Sequence, residues 1–160
     1  MRRATAALLC LWLTIGPTQV ALAAEAARVT GVIPARVGDL VVVRLVTEGL
    51  PGERLLQSMR SGLVSAVDLD LTLLDDREKV VGGRHLTLQL GFDLWEEVFS
   101  VRADGTERRF QSLDDLEVYL AELRQVPVIP ADRLEPGSRY RLRVGLQVHP
   151  IAPAEQDRVE

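Results

Sequence analysis

Apolar residues recur at two spacings along this chain, every second position in some stretches and every third or fourth in others. Val67, Leu69, Leu71 and Leu73 alternate with Asp68, Asp70 and Thr72, the pattern of a strand with one buried face. Leu86, Leu88 and Leu90 repeat it against His85, Thr87 and Gln89. Between these two runs, Asp75 to Gly83 reads as a charged loop with Gly82-Gly83 at its tip. Gly91 and Asp93 mark a bend or bulge, after which Leu94 to Arg102 reads as a strand carrying Trp95, Phe99 and Val101 on one face. Asp104-Gly105 is a two-residue hairpin signal that returns the chain through Thr106 to Phe110. Tyr140, Leu142, Val144, Leu146 and Val148 make the clearest alternation, whereas Leu40 to Val46 is apolar apart from Arg44 and reads as a strand buried on both faces.

Two segments carry helical spacing instead. Pro51 to Ser61 places Leu55, Leu56 and Met59 on one side, with Pro51 near the first turn and Gly62 placed to terminate the helix. Ser112 opens the second helix, its hydroxyl available to a first-turn N–H, and Leu113, Leu116, Tyr119, Leu120 and Leu123 form its apolar stripe until Pro127 stops it. Val126 to Pro130 then reads as a short edge segment and Pro136-Gly137 as a turn. The sum predicts an α+β domain, a mainly antiparallel sheet with two amphipathic helices packed on one face; a β-sandwich is the alternative.

The N-terminus adds a compartment. Arg2 and Arg3 precede an apolar run from Ala4 to Ile15, Gly16-Pro17 ends it, and Ala21-Leu22-Ala23 offers a small-x-small cleavage site. This is the pattern of a secretory signal peptide, with cleavage expected after Ala23. The run falls short of the ~20 residues that span a bilayer, so a retained inner-membrane anchor is the second reading. The expected organisation is a leader over 1–23, one domain over 24–149 and a flexible tail over 150–160. Cleavage removes Cys10, the only cysteine, which leaves no disulfide or thiolate chemistry. It also removes two of 19 basic residues and none of 23 acidic ones, taking the net charge from −4 to about −6. That balance disfavours nucleic acid or anionic lipid as a bulk partner.

Several stretches resemble an uncharacterised bacterial envelope family, domain-of-unknown-function family 4390. They are Ser61-Gly62-Leu63, Leu88 to Trp95 running into Val98-Phe99-Ser100-Val101, Phe110 to Asp115, and Leu134 to Val144. The resemblance implies an exported or membrane-tethered protein of the Gram-negative envelope, and it implies no reaction, cofactor or catalytic residue.

The residues that could carry chemistry are few. His85 and His149 fall on polar strand faces, as do Asp68 and Asp70, whose side chains sit about 7 Å apart on one strand. Read plainly, they are solvent-side residues, with the aspartates facing arginines across the sheet. Gathered together, they would suit a metal or a carboxylate-based hydrolase. No HExxH, G-x-S-x-G or Ser-x-x-Lys pattern accompanies them. Arg139, Arg141 and Arg143 form an outward row able to grip an anionic ligand or partner through their planar forks. Phe92, Trp95 and Phe99 read as core first and as an exposed platform second; aromatics are only 4% of the chain, too few for a stacking surface.

The expected function is therefore a periplasmic binding or interaction module, non-catalytic and without cofactor. Its partner would be an envelope protein, met at Arg139, Arg141, Arg143 and Trp95. The alternatives are a small hydrolase built on His85, His149, Asp68 and Asp70, and an accessory domain of a membrane sensor system. Membrane contact, and with it the sensor reading, requires that the leader be retained.

Overall fold

The structure is a computed structural model that describes residues 26–152. The leader and its cleavage site lie outside the described residues, as does the tail beyond residue 152. Among the described residues, eight strands form two antiparallel sheets. β1 (Arg28–Val37), β2 (Leu40–Glu48) and β7 (Glu122–Pro130) make the first, in the order β1-β2-β7. β3 (Ser65–Leu74), β4 (Val80–Asp93), β5 (Val98–Ala103), β6 (Thr106–Phe110) and β8 (Arg141–His149) make the second, in the order β6-β5-β4-β3-β8. α1 (Gly52–Arg60) packs on β3 and β4, and α2 (Leu113–Ala121) packs against β2, β6 and β7. The architecture is α+β.

The expected single sheet is in fact two, and they share a core. Val43 and Leu45 of β2 and Val126 and Ile129 of β7 belong to the same buried cluster as Leu69 of β3 and Leu88 of β4. Leu55 and Met59 of α1 and Leu116 and Leu120 of α2 complete it. Burying one such side chain contributes about 1.5–3 kcal/mol. No local pattern announces the second sheet, because it pairs Leu40 with Pro130 across most of the chain. Residues 28–37, given no element from the sequence, are its outer strand.

Local chemistry explains the helix ends. Gly62 adopts φ 80°, its N–H bonds to the Met59 carbonyl, and the Leu63 N–H bonds to that of Ser58, closing α1 in a Schellman motif. Ser112 Oγ accepts from the Asp115 N–H at 3.1 Å, the expected cap of α2. That helix stops at Ala121 rather than running to Leu123. Leu123 pairs with Leu45 of β2, so the sheet claims the segment after Ala121.

Three further expectations are corrected. Gly82 and Gly83 are not a hairpin tip; they lie inside β4 opposite Leu73 and Thr72, and residues 75–79 make the turn. A Cβ on Gly82 would sit 2.4 Å from Ile129 Cδ1, so the glycine leaves room for the end of that side chain of β7. Residues 94–97 form a turn, with β5 beginning at Val98. β2 is buried on both faces only at Val42 and Val43; beyond them it alternates, with Leu45 and Thr47 buried and Arg44 exposed. The start of the expected flexible tail is also held. The Pro150 carbonyl accepts from the Ser58 and Ser65 hydroxyls, and the Ala152 N–H bonds to Val64.

Candidate functional site

The outer face of the five-stranded sheet gathers the four residues of the hydrolase alternative. β3 is flanked by β4 and β8, with Asp70 opposite His85 and Asp68 opposite Thr87 and Gln147. His85 Nδ1 lies 2.7 Å from Asp70 Oδ1. An ionised carboxylate only accepts, so Nδ1 carries the proton. Thr87 Oγ1 lies 3.2 Å from His85 Nε2 and donates to Asp68 Oδ1 at 2.6 Å. With its hydrogen committed to Asp68, Thr87 offers Nε2 only a lone pair, which suits the doubly protonated imidazolium. The His85 pKa is raised from 6.5, first by the Asp70 hydrogen bond and then by the charges of Asp70 and Asp68.

His149 Nε2 approaches the other oxygen, Asp68 Oδ2, at 3.1 Å, without hydrogen-bond alignment. His85 Nε2 lies 3.7 Å from Asp68 Oδ1, so the two imidazoles flank one carboxylate from the two strands beside β3. Among the described residues, no group of three His, Cys, Asp or Glu could hold a metal ion.

The arginine row is not one unit and does not face these aspartates. Arg139 precedes β8, Arg141 lies opposite Leu74, and Arg143 lies opposite Thr72. Arg141 reaches Glu78 of the β3–β4 turn at 2.6 Å. Asp70 meets Gly145 on β8 instead, so register alone removes the expected Asp–Arg ladder.

Trp95 sits at the other end of the sheet. β4 runs 14 residues from Val80, beside the Arg141 partner Leu74, to Asp93, a span of roughly 40 Å. Arg141 and Trp95 therefore cannot serve one compact site. Trp95 is 96% exposed, with Leu94 beside it at 56%. Phe99, by contrast, is buried and packs on Phe92 at a centroid distance of 4.6 Å. Asp93 builds the turn that presents the tryptophan: its Oδ1 accepts from the N–H groups of Trp95 and Glu96 at 2.9 and 3.0 Å. Those donors, Glu96 first, lower the Asp93 pKa. An ion pair between Arg109 and Glu96 ties the same turn to β6.

One concavity was not foreseen. A groove of about 890 Å³ runs between β6, α2 and β7, over Leu86 and Leu88 of β4. Arg108 lies in it with its guanidinium 5.5 Å from the Tyr119 ring centroid. No motif marks these residues: β6 and α2 are consecutive elements, but β7 and β4 close the groove only through the tertiary fold.

The family model described as domain of unknown function (DUF4390) matches residues 24–150, most of the chain. The chain belongs to that family. No curated protein and no solved structure matches it.

Proposed function

We propose that this member of the DUF4390 family is an exported, non-catalytic interaction module that meets a protein partner of the cell envelope through its β4–β5 turn. The observation that carries the reading is Trp95, 96% exposed beside an exposed Leu94 on a turn built by Asp93. A tryptophan held on an ordered turn offers a large contact area at small conformational cost, and such residues dominate binding energy at interfaces. The basic head and apolar run at residues 2–15, with Ala21-Leu22-Ala23 after them, support export to the periplasm. The described helices support no spanning role, because none is long and apolar enough to cross a membrane.

The test is capture from the envelope fraction with the mature protein, comparing wild type, Trp95→Ala, and Arg141→Glu with Arg143→Glu. The reading expects one specific protein, lost with Trp95→Ala and kept by the arginine variant. Loss only in the arginine variant moves the contact to β8, and equal capture by all three removes the reading.

A hydrolase is the second reading, favoured by one arrangement: Thr87 Oγ1, His85 and Asp70 stand in line as hydroxyl, imidazole and carboxylate. Its weakness is that the hydroxyl donates to Asp68 and that none of the three residues lines the groove. Ester hydrolysis abolished by His85→Ala would establish it.

A further inference from the structure

The groove is walled by strand edges. Successive residues of a strand point to opposite faces, so a cavity lined by an unbroken run of them lies along the strand's edge. Residues 108–111 line one wall and residues 122–127 the other. β6 pairs with β5 and β7 with β2, each at the end of its sheet, and neither has a second partner strand among the described residues. The two edges are not equivalent. β7 carries Pro127 and Pro130, a left-handed Gln125 and register shifts against β2, features that blunt an edge. β6, the end strand of its sheet, has no proline and keeps continuous register with β5 from Thr106 to Phe110, so none of these features blunts its outer edge.

Volume and charge specify what fits. A strand residue occupies about 3.3 Å along its axis, 4.8 Å between strands and 10 Å across the sheet, so five residues need about 800 Å³. The groove holds about 890 Å³, room for such a segment, and Arg108, Arg109 and Phe110 of β6 line it. The acids on its rim are already engaged: Asp104 by Arg84, Glu122 by Arg44 and Arg124, and Asp115 by Ser112. Arg109 is engaged by Glu96. Arg108 lies on the Tyr119 ring and makes no ion pair with any described residue.

We infer that the groove binds an extended peptide segment of a partner protein, added as a strand to β6 with an acidic side chain seated at Arg108. Main-chain hydrogen bonds to β6 supply affinity, and the Arg108–carboxylate pair, beside Tyr119, supplies selectivity. This rests on the reading of the chain as an interaction module but uses a surface separate from Trp95.

The probe is a fluorescein-labelled heptapeptide of alternating valine and threonine with a central glutamate, titrated against the mature protein by anisotropy. Companion peptides carry lysine in place of the glutamate, or N-methyl groups along one edge. The glutamate peptide is expected to bind at least tenfold more tightly than the lysine peptide, and the N-methyl peptide not at all. Arg108→Gln is expected to weaken the glutamate peptide about tenfold, with the variant's fold checked by its unfolding midpoint. On binding, amide exchange should slow at residues 106–110. Equal binding of glutamate and lysine peptides, protection elsewhere, or no binding overturns the inference. Trp95→Ala should leave peptide affinity unchanged, so loss of the envelope partner and loss of peptide binding are separate results.

Discussion

His85 donates from Nδ1 to Asp70 Oδ1 at 2.7 Å, across the ladder that joins β3 to β4. The bond holds the imidazole against a carboxylate on an open sheet face, and it is the largest cause of the raised His85 pKa. A pH dependence follows. Because the folded-state pKa lies above the ordinary 6.5, the stability this pair contributes is complete below about pH 6.5. It is lost as pH rises through the raised value. Asp70→Asn should return the His85 titration toward 6.5 in an NMR experiment and flatten that part of the stability profile. An unmoved titration would show that Asp70 does not set it.

The shared core predicts a single cooperative unfolding. Leu45 of β2 and Leu69 of β3 are both fully buried, one in each sheet. Leu45→Ala and Leu69→Ala should each cost about 3–5 kcal/mol in urea denaturation, within one transition followed by circular dichroism and by fluorescence. Two separable transitions would mean that the sheets fold as independent units.

Neighbouring glycines in β4 should differ in their tolerance. A Cβ on Gly82 meets the far end of the Ile129 side chain, which can turn aside, whereas one on Gly83 would lie 2.1 Å from the Leu71 carbonyl oxygen, a backbone atom. Gly83→Ala should cost about 2–3 kcal/mol and Gly82→Ala about 1 kcal/mol, read from urea midpoints. The reverse order would contradict the packing described.

Ser112→Ala removes the acceptor for the Asp115 N–H and should cost about 1 kcal/mol. Ser112→Asn, which restores an acceptor without placing a second carboxylate beside Asp115, should recover most of that loss in the same denaturation series.

Legibility in the sequence followed the range of the interaction. The inward sets of β3 and β4, the Ser112 cap, the Gly62 terminator and the Asp104-Gly105 turn depend on residues a few positions apart, and all were readable. β1 was not, because Gly31 and Pro34 interrupt any alternation and the strand exists through its pairing with β2. The switch from α2 to β7 was hidden because Leu120 and Leu123 suit a helical stripe, while Leu123 also suits a strand that needs Leu45 as a partner. The candidate surfaces divide the same way. The phase of His85, Asp68 and Asp70 followed from alternation, but their meeting with His149 needed the order β4-β3-β8. Local pattern places Trp95 on a strand face because nothing in it distinguishes a bend at Asp93 from the turn that Asp93 closes by accepting from the Trp95 and Glu96 N–H groups.

The most direct test of the interaction reading is site-specific photo-crosslinking in intact cells, with the reactive residue at position 95 or, as a control, at Glu117 on the exposed side of α2. The account predicts a crosslink from position 95 to one envelope protein, absent at position 117. No adduct at 95, or the same adducts from both positions, would contradict it.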